Sequence, residues 1–228
     1  MFAYPDTLTR LAFLTTALAL ASCGSSGPST PYQPIAFAPL QAADEERCIA
    51  SGTVAEGPFI RLRSGLGGPS VCGAARPFEM SAVGRGAIGL RPAALLRCPM
   101  IKPVEDWLMA AVDPAAVRYL GAPVREIKVA ASYSCRTRNG IAGAKLSEHA
   151  LANALDISGF VLADGRTVTI RSGWGGTADE QAFLRVVHRE ACRRFTTVLG
   201  PDADRFHHDH LHVDLARHNA SGTFRVCR

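Results

Sequence analysis

His210-Leu211-His212-Val213-Asp214-Leu215 alternates polar and apolar side chains at every step. In a strand, residues two apart share a face. The alternation therefore predicts a half-buried strand over 210–215, with Leu211, Val213 and Leu215 facing the core and His210, His212 and Asp214 lining a polar surface. Imidazoles and a carboxylate on one strand face are the raw material of a metal or acid/base site. The upstream stretch Ser147-Glu148-His149-Ala150-Leu151-Ala152-Asn153-Ala154-Leu155-Asp156 supplies the complement. There Ala154, Asp156 and Ser158 share a face opposite Leu155 and Ile157. His149 lies too far from Asp156 for the same strand, so a turn must fold it back over the carboxylate.

Working outward, the histidines are unevenly spread. The chain has 7 His, and all but His149 lie from His188 onward. A zinc hydrolase wants about three protein ligands from His, Asp or Glu plus an open position. His149, Asp156 and one of the C-terminal histidines would provide that set. His210, His208 and Asp209 are candidates to move a proton. Alternation turns Asp209 away from the polar face, which favours His210. His207 and His218 read equally well as exposed loop residues, and His188 as a surface or boundary position on a helix. Trp174 beside Gly175-Gly176 lines a groove or anchors a loop, and Glu148 is a structural hydrogen-bonder.

These segments resemble a known group. Ser147-x-His149 followed by Asp156 and a distant His-x-His looks like the zinc peptidases that include D-Ala-D-Ala carboxypeptidases, murein endopeptidases and hedgehog-like proteins. Within that group the chain most resembles the bacterial extensin-like C-terminal domain family. The matching stretches are Ser132-Tyr133-Ser134-Cys135-Arg136, Ser147-Glu148-His149, Asn153-Ala154-Leu155-Asp156 and Cys227-Arg228. The resemblance covers residues 45–228 and implies an α+β fold, a small antiparallel sheet carrying a zinc site and flanked by helices. It implies His149, Asp156 and His212 as Zn2+ ligands and His210 as the acid/base group. Asp209 stands where some relatives place a catalytic acid. Arg136 would hold a substrate carboxylate through its two-pronged hydrogen bonding. Many relatives carry Gly where this chain has Ala152, a departure that bears on the local turn. The implied activity is cleavage of a peptide bond in peptidoglycan stem peptides or cross-links. The alternative is a cell-wall-binding lipoprotein that keeps the fold without turnover.

The cysteines and the N-terminus agree with an exported protein. An apolar run over residues 11–21 follows Arg10. It is too short for a bilayer span, which needs roughly 20 residues, and suits the core of a secretory signal. Leu20-Ala21-Ser22-Cys23 resembles a lipobox, so residues 1–22 read as a lipoprotein signal peptide with Cys23 as the lipidated residue. Gly24 after it points to the outer membrane facing the periplasm. Residues 23–44, rich in Gly, Ser, Pro and Ala, read as a flexible tether. The remaining cysteines, Cys48, Cys72, Cys98, Cys135, Cys192 and Cys227, contain no C-x-x-C pair and read as disulfides. Sequence leaves their connectivity open. The expectation adopted pairs consecutive cysteines: Cys48–Cys72, Cys98–Cys135 and Cys192–Cys227, the last pinning the chain end to a helix.

Composition closes other routes. The 228 residues are 47% apolar and 20% charged, which suits one globular domain. Gly and Pro show no three-residue period, excluding collagen. The net charge is +5 without any Lys/Arg run, so there is no nucleic-acid patch. The coarse pattern predicts short strands and loops over 45–90 and a helix over 92–112, kinked by Pro99 and Pro103. It then predicts a helical turn from Asp113 to Gly121 and a strand over 124–133. Strands over 154–162 and 167–171 flank a turn, and a helix spans 178–197.

Overall fold

A computed structural model describes residues 1–2, 39–67 and 71–228. Cys23 and the signal segment lie outside the described residues. In chain order the elements are α1 (Pro39–Ala50), β1 (Ile60–Leu62), β2 (Leu66–Gly67), β3 (Gly73–Ala74), β4 (Phe78–Val83), β5 (Ile88–Leu96), α2 (Cys98–Trp107) and α3 (Asp113–Leu120). They continue with β6 (Val124–Ala131), β7 (Ala154–Leu162), β8 (Thr167–Thr169), α4 (Ile170–Gly173), α5 (Ala178–Ala191), β9 (Thr197–Leu199), β10 (Leu211–Asp214) and β11 (Val226–Cys227). The class is α+β. Among the described residues no helix is long and apolar enough to cross a membrane.

The sheet is larger than the sequence suggested and is not purely antiparallel. Nine strands run in the order β1-β4-β5-β6-β7-β10-β9-β11, with β8 also paired to β7. The β5–β6 and β9–β11 pairs are parallel. Two parallel pairs arise because α2 and α3 form a crossover between β5 and β6, and because the chain end returns beside β9. The helix expected from Pro92 is instead the second half of β5. Ile88, Leu90, Ala94 and Leu96 are buried there at alternating positions, a period of two. Pro92 has no N–H for a ladder, and it falls at the irregularity between the pairs that Gly89 and Ala94 make with β4. The helix starts at Cys98, with Pro99 in its first turn, where a missing N–H costs nothing. It runs through Pro103, then through a π turn at Leu108–Val112 into α3. Gly121, at φ 75°, ends α3 in the left-handed conformation. Helix α1 begins at Pro39, within the stretch that reads as a tether.

The helix expected over 178–197 stops at Ala191. It opens with a capping box between Thr177 and Glu180. Thr196-Thr197-Val198 is β-branched and prefers extended backbone, and 197–199 becomes β9. Helices α2, α3 and α5 share one core cluster with the apolar side of the sheet. At its centre Trp107 is fully buried, donates Nε1–H to the Val187 carbonyl at 3.0 Å, and meets Phe195 edge-on.

The disulfides correct two of the three expected pairings. They are Cys48–Cys98, Cys72–Cys135 and Cys192–Cys227. The reason is topological. Helix α1 packs on α2, which brings Cys48 to Cys98. The β2–β3 hairpin lies beside the chain leaving β6, where Tyr133 Oη donates to the Gly67 carbonyl at 3.2 Å. Non-reducing peptide mapping is expected to recover these three linked pairs. Replacing Cys192 and Cys227 together by Ser is expected to lower the unfolding free energy by about 2–4 kcal/mol. Urea melts read this, and an unchanged midpoint would show that the tail is held by β11 pairing alone.

Candidate metal centre

Two strands and one turn build the site. Asp156 on β7 and His212 on β10 are direct antiparallel partners. Leu155, Ile157, Leu211 and Val213 go to the core, so both polar side chains emerge on the opposite face. His149 arrives on a 3₁₀ turn over Glu148–Leu151, capped by Ser147, whose Oγ accepts from the His149 amide. The turn closes at Ala152, which adopts φ 52°. That conformation costs a residue with a Cβ about 1–2 kcal/mol. It is held by the Ala152 amide bonding the His149 carbonyl and by the Arg97 amide bonding the Ala152 carbonyl. The turn therefore forms with Ala at position 152.

The three side chains converge. His149 Nε2 lies 3.0 Å from Asp156 Oδ2 and 3.2 Å from His212 Nδ1. His212 Nδ1 lies 2.8 Å from Asp156 Oδ1. All three residues are buried, and their donor atoms lie within 4.8 Å of one another. The outward nitrogens are taken as well. His149 Nδ1 donates to the Ser132 carbonyl at 2.6 Å, and His212 Nε2 donates to Asp214 Oδ2 at 2.8 Å. Fixing the far nitrogen of a ligating imidazole sets its tautomer and raises its basicity. Two imidazole nitrogens, each ring locked from behind, and one carboxylate suit a zinc-type divalent ion with an open position.

Electrostatics without an ion follow from the same contacts. Burial pushes Asp156 up, but hydrogen bonds from His149 and His212 outweigh it and hold the carboxyl well below its ordinary range. Asp214 is lowered in the same way, His212 overcoming burial. Burial pushes His212 down, but Asp156 and Asp214 together raise it to about 10. The His212 contribution to stability is full below its ordinary value of 6.5 and is lost as pH rises through about 10. The Asp156 and Asp214 contributions are full above their ordinary value of 3.8 and are lost as pH falls. Metal-free protein is therefore expected to be most stable between about pH 4 and 6.5. Thermal melts in chelator across pH check this, and a maximum above pH 8 would contradict it.

A cleft of about 470 Å³ opens over the cluster. His210 lines it. Its Nδ1 donates to Asp209 Oδ1 at 3.0 Å, and its Nε2 lies 3.7 Å from Asp156 Oδ2. Asp209 is not part of the lining. It sits behind His210, bonded also by Arg171 at 2.8 Å, and these two partners lower it to about 2. Arg136 lines the cleft, half-buried. His207 and His218, which sequence left as possible loop residues, both line it too. His207 is buried, donates Nδ1–H to Asp204 Oδ1 at 2.7 Å, and its ring lies 5.2 Å from that of His210. The density of histidines over 207–212 was the only sequence signal for it. His218 pairs with Thr197 at 2.8 Å. Glu148 accepts from the Asn153 side chain at 2.6 Å, and burial raises its carboxyl. His188 and Trp174 lie against each other away from the cleft. His188 bonds the Arg228 carbonyl, and Trp174 Nε1 bonds Asp202 under the Arg185 guanidinium.

A family model described as "Extensin-like protein C-terminus" matches residues 46–228. The chain belongs to the extensin-like C-terminal family. The extensin-like match begins inside α1 and takes in the whole sheet, both segments of the His149–Asp156–His212 cluster and all three disulfides. No curated protein and no solved structure matches the chain.

Proposed function

We propose that this extensin-like protein is an exported, zinc-dependent hydrolase that cleaves a peptide bond in peptidoglycan stem peptides or cross-links. The observation that carries the reading is the convergence of His149 Nε2, Asp156 and His212 Nδ1 under an open cleft, with Ser132 and Asp214 holding both rings from behind. His149, Asp156 and His212 would hold the ion. When bound, zinc lowers the pKa of a water toward ~7 and polarises a carbonyl.

The chain's own residues supply the rest. Asp209 keeps a proton on His210 Nδ1, which leaves Nε2 free on the Asp156 side of the cleft. There it can accept a proton from the attacking water and deliver one to the leaving amine. His207, oriented by Asp204, sits beside it with a second imidazole. The Arg136 guanidinium faces the cleft and suits a terminal carboxylate. The export-type start of the chain, the disulfides and the net charge of +5 fit a periplasmic, lipid-anchored protein at the outer membrane, working on an anionic wall polymer.

The test is metal content by mass spectrometry in wild type and His149→Ala, beside digestion of purified sacculi. The expected result is about one zinc per chain in the wild type and none in the variant, with new muropeptides released only by the wild type. A folded, oxidised wild type that takes up no metal when zinc is supplied overturns the reading. Zinc without cleavage leaves a wall-binding lipoprotein.

A further inference from the structure

Beyond Arg136, a second cation faces the same cleft. The segment after Cys135 runs out and back as a narrow two-stranded loop. Thr137 bridges Leu146, the Arg138 amide bonds the Lys145 carbonyl at 2.9 Å, and the Ser147 amide bonds the Arg136 carbonyl at 3.1 Å. In such a ladder residues two apart share a side, and Arg136 and Arg138 both line the cleft. The Cys72–Cys135 bridge anchors the loop at its first residue, and the Thr137 hydroxyl bonds the Ile141 carbonyl at 2.7 Å across its tip.

Among the described residues, neither guanidinium is used internally. Among the described residues, no carboxylate lies within ion-pair distance of Arg136 or Arg138, whereas Arg63, Arg166 and Arg171 each sit within 2.8 Å of one. The carboxylates of the cleft are already engaged. Asp156 and Asp214 are held by His212, Asp204 by His207, and Glu148 by Asn153. Arg138 acts on Glu148 only through its longer-range charge. Two uncompensated cations on one cleft wall are matched by two anionic groups on one ligand.

We propose that Arg136 and Arg138 together form a two-carboxylate subsite, so that the cleft favours peptides carrying a second carboxylate close to the terminal one. The proposal rests on the reading that a peptide terminus docks at Arg136, and it makes Arg138 the residue that discriminates between substrates.

The probes are dansyl-L-Glu-D-Ala-D-Ala and dansyl-L-Gln-D-Ala-D-Ala, which differ by one charge. Binding is read by fluorescence anisotropy on the full chain, as wild type and with His210→Ala to separate binding from turnover. Arg138 is exposed, so the expected preference for the Glu peptide is about threefold to fivefold at low salt, shrinking as salt screens it. Arg138→Gln is expected to abolish that preference, bringing the Glu peptide's affinity down to that of the Gln peptide in the same variant. Arg136→Gln is expected to weaken both peptides. Equal affinities in the wild type, a preference that survives Arg138→Gln, or no binding of either peptide overturns the subsite. The hydrolase reading fails separately. A protein that binds with this preference and cuts nothing loses the activity and keeps the subsite.

Discussion

His210→Ala is expected to lower sacculus hydrolysis by about 10²–10⁴-fold, the usual share of a positioned acid/base group, while about one zinc stays bound. The expectation follows from where the ring sits. His210 is outside the His149–Asp156–His212 cluster, so its loss removes no ligand, yet its Nε2 lies 3.7 Å from Asp156 Oδ2 over the cleft floor. Asp209→Asn acts one step back. The amide oxygen can still accept from Nδ1, but the charge is gone, so a loss of about tenfold is expected, in line with outer partners of such sites. Parallel kcat and metal measurements on the two variants decide the assignment. Full activity in His210→Ala would transfer the proton-moving role to His207, whose ring is oriented by Asp204 beside it, and His207→Ala would then carry the large loss. Loss of zinc from His210→Ala would instead make it part of the ligand set.

Trp107→Ala is expected to cost about 3–5 kcal/mol, the range for truncating a fully buried Trp. Trp107 joins the end of α2 to α5 by its hydrogen bond to Val187 and to the chain beyond α5 by its edge contact with Phe195. Truncation leaves a cavity and removes the donor to a buried carbonyl, so both penalties fall on one residue. Trp107→Phe fills most of the space and loses only the donor, so a cost of about 1–2 kcal/mol is expected. Chemical denaturation of the oxidised protein reads both. Zinc content measured well below the midpoint should be unchanged, because the cluster sits on the opposite face of the sheet. A Trp107→Ala loss under 1 kcal/mol would mean that the helical layer is not held through this residue.

The segments whose polar and apolar residues recur with a local period were legible in the chain, although β10, expected to be half-buried, is buried on both faces. Leu211 to Asp214 alternates as a strand must, and β7 and the heart of α5 stand where pattern and capping residues put them. Misreadings came where two periods were confusable. Ile88–Leu96 is apolar enough for either element, and Pro92 reads as a helix start by itself, whereas Gly89–Arg91 pair with β6 and Gly89 and Ala94 with β4. Thr196-Thr197-Val198 followed a helix without a Gly or Pro to stop it. Only the β-branched preference and the pairing to β10 and β11 ended the helix early.

By itself the sequence determined the kinds of donors, the alternation that sorts them onto one face, and an even set of cysteines after Cys23, because all of these are properties of residues near one another along the chain. Tertiary structure decided the rest. It chose the register that sets His212 opposite Asp156 across 56 residues, the partners of Cys48 and Cys72, the burial of His207 and the place of Arg138 on the cleft wall. Each of these depends on which strands and loops become neighbours, and that is settled by burying one common core rather than by any local preference.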